Sequence, residues 1–382
     1  MNILVVCHYG LYQDLTFSFV HNQVKEYAAR GHRVRVLIPN GIGKTGRDGR
    51  RFGSGLTVSV MDGVELLDLR YVTLSSFGEK GFNQKSAIAV IKAHEKRIFE
   101  NFSPDVIHAH TLGFDSEIGA WLKGRLGCPL VVTTHGSDTN VPLDNGQGAQ
   151  LKQYCDRADA VVAVSGQLKE RLAACGTETP LHAIHNGFVP RPIPVGTVRK
   201  FHSMIQVGHL VSSKRVNVTI QAFAQLRKKY PDMTLTIIGQ GPLREELEQL
   251  CLQLGVADAV QFTGQIPNAQ VFTRMCESGF YVMASKPEGF GIVYLEAMAA
   301  GCVTIGSEDQ GIADVIEHGV NGFLVTVDEP EQIVRIVDRC LQDEQEAVSV
   351  ADKGRILANK MTWLENAERN LALYNQLKMF KQ

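Results

Sequence analysis

Short apolar runs alternate with longer amphipathic stretches along the whole chain, and this alternation constrains the fold more than any other feature. In the first half, the runs NILVVC, RVRVLIP, DVIHAH, PLVVTTH, AVVAVS and HAIHN predict buried strands. Helical stretches such as FSFVHNQVKEYAARG and KSAIAVIKAHEKRIFENF lie between several of them. Nearly continuous apolar strands separated by helices are typical of a parallel, doubly wound α/β sheet.

A segment with three prolines, VPRPIPVGTVRK at residues 189–200, interrupts the alternation and predicts a linker. The pattern then restarts with HSMIQVG, MTLTIIG, AVQFTG, GFYVMAS, CVTIGS and GFLVTV. A chain of 382 residues also exceeds the usual size of one hydrophobic core. We therefore expect a first Rossmann-like α/β domain at residues 1–188, a second at 201–361, and a terminal amphipathic helix at 362–382.

Ligands of such sheets bind outside the carboxyl ends of the strands, which sets the expected position of a site. Two domains joined by one linker are expected to face each other across a cleft between their strand ends. That arrangement suits an enzyme that joins two substrates, and it equally suits a hinged binding protein. The architecture alone therefore does not decide the function.

Composition excludes several classes of protein. The net charge of −1 lacks the basic excess of nucleic-acid-binding proteins. Because neither a cationic leader nor a run of about 18 apolar residues is present, we expect a cytoplasmic protein. The eight cysteines have no paired spacing, which favours reduced thiols. The histidine pairs HAH and HAIH lack a third ligand, and no Asp-x-Asp pair occurs, so neither a metal site nor a bound cofactor is predicted.

The segment GIGKTG, residues 41–46, matches the dinucleotide-binding pattern G-x-G-x-x-G. The residues after it, RDGRRFGSG, cannot open the helix that this pattern requires, so a loop is predicted instead. The cations of this loop are Lys44, Arg47, Arg50 and Arg51. They form either a solvated face or a peripheral contact with the lipid phosphates at the inner face of a membrane.

Two helix starts predict an anion site. VGHLVSSKRVNVTIQAFAQL places Gly208 and then Lys214 between a strand and a helix. A second helix is expected to start near Gly291, in GFGIVYLEAMAAG. The backbone amides and the dipole at a helix N-terminus favour an anion, and Lys214 adds a positive charge.

Two carboxylates flank the second helix start, because Glu288 precedes it and Glu296 follows eight positions later. Eight residues of helix rise about 12 Å, which is comparable with the separation of the ribose and the hexose in a nucleotide sugar. One carboxylate can then accept the ribose hydroxyls and the other the hexose hydroxyls. The alternative is an ion pair between Glu296 and a lysine or arginine of the protein.

In the first half, TTHGSDTN ends an apolar strand with His135 and Asp138. These side chains lie where the ligands of a parallel sheet bind. The alternative role for the polar residues is capping of the next helix by Ser137 or Asp138.

At these residues the chain resembles the family 4 glycosyltransferases, retaining enzymes with the two-domain GT-B fold. The similar motifs are EGFGIVYLEAMAAG, GSEDQGIADVIEHGVNGFLV, THGSD, AVS at residues 163–165 and HNG at residues 185–187. The resemblance implies that the second domain binds a UDP- or GDP-sugar. The acceptor would be a saccharide or a lipid-linked molecule of cell-surface polysaccharide synthesis. The terminal helix, which carries Trp363, would cross back onto the first domain.

The resemblance also implies roles for single residues. Lys214 would contact the diphosphate, Glu288 the hexose and Glu296 the ribose, while His135 would line the reaction centre. The other donor-binding residues would be Gly10, Gly208, His209, Gly289, Phe290, Gly291, Ile292 and Val293, and the acceptor-binding residues Tyr9, His110 and Asp138. His209 stands where the family usually has an arginine, and Gly10 is single where a glycine pair is common. Glu288 receives no nucleophilic role, because the leaving phosphate would take the acceptor proton on the same face.

Three other functions compete with transfer to an acceptor. A sugar-nucleotide epimerase on the same fold would isomerise the donor without an acceptor. A phosphorylase would need a lysine that anchors pyridoxal phosphate and usually a much longer chain. A non-catalytic partner subunit would bind the sugar nucleotide only, and the joint presence of Lys214, Glu288 and Glu296 argues against it.

Overall fold

The computed structural model describes residues 1–8, 18–42, 55–73 and 81–379, and the chain divides into two compact units. The first unit comprises Met1–Val164, Leu168–His185 and the C-terminal segment from Trp363. The second unit comprises Ser165–Gln167 and Asn186–Thr362. The proline-rich segment 189–200 is therefore grouped with the second unit.

The first unit is built on one sheet. Its strands are β1 (Asn2–Val6), β2 (Arg33–Ile42), β3 (Gly55–Met61), β4 (Val64–Val72), β5 (Val106–His110), β6 (Leu130–Thr134), β7 (Ala160–Ala163) and β8 (Leu181–Ala183). They lie in the order β3-β4-β2-β1-β5-β6-β7-β8. Among the described residues, every neighbouring pair is parallel except β3 and β4. Strands β1, β5, β6 and β7 are buried almost throughout, as their continuous apolar runs predict.

The antiparallel β3–β4 hairpin adds an edge that the alternation of strands and helices did not predict. Residues Thr57–Met61 of β3 are exposed, so this strand alternates valine with polar residues instead of forming an apolar run. The turn residues Asp62 and Gly63 have φ values of 48° and 78°. Positive φ at both positions is the requirement of a tight type I′ hairpin, and Asp-Gly is a preferred sequence for it. The Asp-Gly pair was therefore the usable signal.

Helices follow most of these strands. Up to His185 they are α1 (Ser18–Ala29), α2 (Phe82–Ala93), α3 (Glu95–Ile98), α4 (Phe114–Leu126), α5 (Ser137–Asp144), α6 (Gly148–Cys155) and α7 (Gly166–Ala173). The long helix predicted over KSAIAVIKAHEKRIFENF is divided at His94, which ends α2 and precedes α3.

The second unit repeats the parallel architecture. Its strands are β9 (Lys200–Val207), β10 (Thr234–Ile238), β11 (Val260–Gly264), β12 (Ser278–Val282), β13 (Val303–Ser307) and β14 (Phe323–Val325). Its longer helices are α8 (Val216–Lys229), α9 (Arg244–Gln253), α10 (Asn268–Glu277), α11 (Ile292–Ala300), α12 (Pro330–Gln342) and α13 (Glu344–Ala358). The strand order is β11-β10-β9-β12-β13-β14, with parallel pairing throughout. All six strands predicted for this half are present.

The last helix, α14 (Trp363–Met379), packs in the core of the first unit. Its buried residues Ala367, Leu371 and Tyr374 join the cluster that contains Val24 and Tyr27 of α1. Apolar burial of this kind contributes about 25 cal/mol per Å², and it fixes the helix against α1.

Both sheets have a point where the chain changes direction, and these points locate the candidate sites. In the second sheet the chain proceeds outward from β9 to β11 and then returns to place β12 on the other side of β9. The loops after β9 and β12 therefore diverge, which leaves a crevice at their carboxyl ends. The loops after β1 and β5 have the same relationship in the first sheet.

None of the helices within the described residues is long and apolar enough to cross a bilayer.

Candidate functional site

In the second unit, the crevice is formed first by the loop after β9. The backbone at Gly208 lies so close to the β10 loop that a Cβ on Gly239 would stand 1.9 Å from the Gly208 carbonyl oxygen. This contact explains the glycine at position 239, whose φ of +140° is also unfavourable for other residues. The loop then forms one turn of 3₁₀ helix, Ser212–Lys214, immediately before α8. The Gln206 side chain donates a 2.8 Å hydrogen bond to the Lys214 carbonyl and fixes this turn.

The loop after β12 brings Glu288 to Lys214. The Lys286 amide donates to the Ser213 carbonyl at 2.7 Å, which joins the two loops through their backbones. The Lys214 ammonium forms an ion pair with the Glu288 carboxylate, and their side chains are 23% and 14% exposed. Two of the predicted site residues are thus in direct contact.

Gln310 supports this pair and was assigned no role from the sequence. Its Oε1 accepts a 2.6 Å hydrogen bond from the Glu288 amide, and the residue is buried. A Cβ on the next residue, Gly311, would stand 2.0 Å from the Gly289 carbonyl oxygen. The motif GSEDQG therefore has a structural role, because its glutamine and its last glycine pack against the loop that carries Glu288. The motif was recognisable in the sequence, but its role in supporting Glu288 was not.

Helix α11 starts at the predicted position, with Gly291 as its N-cap residue. Gly291 has φ = 77°, and a Cβ there would stand 2.6 Å from the Tyr294 ring. The Tyr294 hydroxyl is buried and donates to the Met283 carbonyl at 2.6 Å. Among the described residues no side chain caps the helix start, so the first amides of α11, beside Phe290, Ile292 and Val293, are available to an anion.

Glu296 lies about one turn into α11 and is half-buried. Burial raises the pKa of its carboxyl group, while the charge of Arg191 acts in the opposite direction. Within the described part of the chain, the Glu296 carboxylate has no hydrogen bond and no ion pair. The internal ion pair that the sequence left open is therefore not formed there.

In the first unit, three histidines, His108, His110 and His135, form a cluster at the carboxyl ends of β5 and β6. The rings of His108 and His110 have centroids 4.3 Å apart, as expected for two residues on one face of a strand. His110 Nδ1 lies 3.0 Å from His135 Nε2, and Phe19 covers the His135 ring at a centroid distance of 4.4 Å. The predicted residues His110 and His135 are thus neighbours.

The histidine cluster is uncharged near neutral pH. Burial lowers the pKa of His108 to about 3 and that of His135 to about 4. Burial also lowers the pKa of His110, and the neighbouring histidines lower it further. Each ring can therefore donate or accept a hydrogen bond but carries no charge.

Asp138 holds the backbone on which His135 stands. Its Oδ1 accepts from the amides of His135 and Gly136 at 2.9 and 3.0 Å, and its Oδ2 accepts from the Leu112 amide at 2.9 Å. The alternative of helix capping by Ser137 or Asp138 was wrong, because the N-cap residue of α5 is Gly136 without a side-chain cap. Asp138 instead ties the loop after β5 to the loop after β6, and its contact with an acceptor stays a prediction.

His8 and Asp115 form a further pair that the sequence analysis missed. His8 follows β1, and its Nδ1 lies 2.9 Å from Oδ2 of the fully buried Asp115. Burial lowers the pKa of His8, but the charge and hydrogen bond of Asp115 outweigh burial and raise it overall. Burial raises the pKa of Asp115. A polar residue two positions after the first strand was the available signal for this pair.

Comparison with known proteins places both halves of the chain in one group of enzymes. Residues 18–191 match the model described as Glycosyltransferase Family 4, and residues 196–356 match the model described as Glycosyl transferases group 1. This chain belongs to the family 4 glycosyltransferases. The two parallel-sheet α/β units are those of the GT-B fold, so the expected fold class is confirmed.

Relatives of this glycosyltransferase include enzymes with different substrates in their names. The N-acetyl-alpha-D-glucosaminyl L-malate synthase of Bacillus anthracis is 28% identical over 87% of this chain and 85% of its own length. A GDP-mannose-dependent phosphatidylinositol monomannoside mannosyltransferase of Mycolicibacterium smegmatis is 28% identical over 59% of this chain, and the match spans only 64% of that relative's length. Among solved structures, Anabaena HepE in complex with UDP and glucose has a TM-score of 0.74 at 21% identity, covering 98% of this chain and 100% of HepE.

Three further site residues were predicted from the sequence, namely Tyr9, Gly10 and His209. Tyr9 and Gly10 lie outside the described residues, as do the four cations of the predicted loop. His209 is described and exposed, in the loop directly after Gly208. Within the described part of the chain its side chain has no hydrogen bond.

Proposed function

We propose that this enzyme is a retaining glycosyltransferase that moves a hexose from UDP or GDP to a saccharide or lipid-linked acceptor. The contact between Lys214 and Glu288 at the direction change of the second sheet carries the proposal. It places a cation and a carboxylate beside an uncapped helix start, where the ligands of such sheets bind.

Lys214 and the start of α11 would hold the diphosphate. An ammonium group has three N–H donors, so Lys214 can bind a phosphate oxygen while it still pairs with Glu288. The first amides of α11 and the helix dipole favour the same anion. This arrangement neutralises the charge that develops on the leaving diphosphate.

The two glutamates would bind the two sugars of the donor. Glu288 has its backbone fixed by Gln310 and its carboxylate oriented by Lys214, which suits a contact with the hexose hydroxyls. Glu296 is partly removed from water and has no partner within the described residues. Two ribose hydroxyls would supply the hydrogen bonds that this carboxylate lacks.

The proposed transfer step exchanges one bond at the anomeric carbon for another. The bond between the anomeric carbon and the diphosphate oxygen breaks, and the acceptor oxygen bonds to the same face of that carbon. The acceptor proton passes to the leaving diphosphate, so no protein nucleophile is needed. His135, uncharged near neutral pH, would orient a hydroxyl by a hydrogen bond.

The relatives support a nucleotide-sugar donor and a range of acceptors. The mycobacterial relative uses GDP-mannose and acts on a phosphatidylinositol mannoside, by its name. A lipid-linked acceptor would bring this enzyme to the cytoplasmic face of a membrane. Its contact there would be peripheral and would use the basic segment at residues 44–51.

The test begins with a panel of UDP- and GDP-sugars, scored by thermal protection of the protein and by hydrolysis of each donor. The protecting donor is then offered with saccharide and lipid-linked acceptors, and the first product formed is analysed by NMR. Retention of the donor's anomeric configuration is expected. Inversion would overturn the retaining mechanism, and isomerisation of the donor without an acceptor would favour the epimerase.

A chelator tests the handling of the diphosphate. Because the chain has no Asp-x-Asp pair, Lys214 and the helix amides should suffice to neutralise the diphosphate. Transfer is therefore expected to persist in excess EDTA. Complete loss of transfer, restored by Mg²⁺ or Mn²⁺, would contradict this expectation.

A further inference from the structure

A buried chain of hydrogen bonds leads from α14 to the histidine cluster. The Tyr27 and Tyr374 hydroxyls lie 3.0 Å apart, and the Tyr374 hydroxyl lies 2.7 Å from His108 Nδ1. On the other side of the ring, His108 Nε2 lies 2.7 Å from the Thr133 hydroxyl. All four of these side chains are buried. Each nitrogen of His108 therefore has a hydroxyl partner, one from the last helix and one from β6.

The two hydroxyls fix the orientation of His108 and engage both of its ring nitrogens. The ring is uncharged, because burial lowers its pKa to about 3, so one nitrogen must donate and the other must accept. A tyrosine and a threonine on opposite sides resist rotation of the ring about its Cβ–Cγ bond. Loss of one hydroxyl would leave a buried nitrogen without a partner, which is unfavourable.

His108 in turn supports the pair formed by His110 and His135. Its ring packs on the His110 ring at a centroid distance of 4.3 Å, with the planes inclined by 35°. His110 Nδ1 is bound to His135 Nε2 at 3.0 Å. The second nitrogen of each ring, His110 Nε2 and His135 Nδ1, has no partner within the described residues. The rings of His110 and His135 are also stacked, with centroids 5.3 Å apart. His110 is thus held between His135 and His108, so its geometry depends in part on His108.

We infer that Tyr374 is a positioning residue for the reaction centre, acting through His108 and His110 on His135. The inference rests on the proposed function, because that proposal places His135 at the acceptor hydroxyl. It assigns α14 a role in turnover in addition to its apolar packing on α1. Tyr27 stands one step further from the histidines and contacts only the Tyr374 hydroxyl of this chain of hydrogen bonds.

The test compares Tyr374→Phe with Tyr27→Phe, two variants that each remove one buried hydroxyl from the same α1–α14 contact. Similar decreases in Tm are expected for both. Tyr374→Phe should lower kcat about tenfold with an unchanged donor KM, since a mispositioned catalytic contact acts mainly on the transition state. Tyr27→Phe should keep kcat within about twofold of the parent enzyme, because Tyr374 still binds His108. Equal decreases in kcat for the two variants, in proportion to their decreases in Tm, would overturn the inference.

NMR of protein labelled with ¹⁵N at histidine provides a readout that does not depend on activity. Tyr374→Phe should change the ratio of the two His108 tautomers from that of the parent protein and should shift the His110 and His135 signals. Thr133→Val, which removes the opposite hydroxyl, should give the same signature and serves if Tyr374→Phe fails to fold. Unchanged His110 and His135 signals would overturn the inference. If the parent enzyme transfers no sugar, the proposed function fails, while the NMR result still decides the positioning role.

Discussion

Lys214 and Glu288 form an ion pair although they are 74 positions apart in the chain. The contact exists because β9 and β12 are neighbours in the sheet, so that the loops following them start side by side. The resemblance to the family predicts a diphosphate contact for the lysine and a hexose contact for the glutamate, and the structure joins the two side chains directly.

Lys214→Met should lower the free energy of unfolding by about 1–3 kcal/mol, because it leaves the half-buried Glu288 carboxylate without its cation. The double variant Lys214→Met/Glu288→Gln should recover part of that loss, as urea unfolding would show. The matched control is Lys229→Met, whose partner is Asp338 and whose side chain is 55% exposed. This exposed pair should cost less than about 1 kcal/mol. Equal losses for the two lysines would show that the Lys214 pair is an ordinary surface contact.

Glu288→Gln should reduce kcat more than donor affinity, because a hexose contact gains strength as charge develops at the anomeric carbon. We expect a fall of roughly 100-fold in kcat, comparable with loss of one transition-state hydrogen bond. The donor Kd, measured by calorimetry, should change by less than about tenfold. Glu346→Gln, which alters an exposed ion pair with Arg339, should change neither quantity. A pure affinity effect at Glu288 would contradict the assignment.

Glu296→Gln should separate stability from donor binding. Because burial raises the pKa of Glu296 in the folded protein, the folded state binds the proton more tightly than the unfolded state does. This group therefore stabilises the fold at low pH, and its contribution is lost as pH rises above about 4.5. Near pH 7 the glutamine variant should be as stable as the parent or more stable. Its donor binding should weaken by about 1–3 kcal/mol as the ribose contact is lost. A destabilised variant with full donor affinity would contradict both statements.

The histidine cluster should make the protein less stable in acid. Burial lowers the pKa of His135 to about 4, below the value of about 6.5 for an unfolded chain. The unfolded state then binds more protons below about pH 6.5, so stability is lost as the pH falls toward 4. Urea unfolding between about pH 4.5 and 7.5 should show a shallower pH dependence for His135→Gln than for the exposed control His318→Gln. Identical slopes would contradict the uncharged state of His135.

Most of the fold was predictable because the buried strands are continuous apolar runs that need no knowledge of their neighbours. The β3–β4 hairpin was not predicted, because an edge strand such as Gly55–Met61 has a half-exposed, alternating composition. The separation of α2 from α3 at His94 was not predicted, because the apolar spacing continues across the break.

The residues of the candidate site were predictable where a sequence motif indicated them, and not where they depend on contacts between different loops. The positions of Lys214, Glu288 and Gly291 followed from helix starts after strands. The partners of Glu288 and Asp115 could not be predicted in this way, because the order of strands in each sheet decides which loops meet. His8 and Gln310 were not predicted as site residues for that reason.

His209 offers a test at the position where this chain departs from its family. The residue is exposed beside Gly208, in the loop that leads to Lys214, so its side chain can reach an anion held there. An arginine would bind a phosphate through two parallel hydrogen bonds and remain charged at any working pH. His209→Arg should therefore tighten donor binding by about 1.4 kcal/mol, or tenfold, and His209→Ala should weaken it. Calorimetric Kd values for the three proteins decide the matter. The exposed His202, which pairs with Asp232, provides the control variant His202→Ala, for which no change is expected. Unchanged donor affinity in both His209 variants would mean that Lys214 and the helix amides bind the diphosphate without this residue.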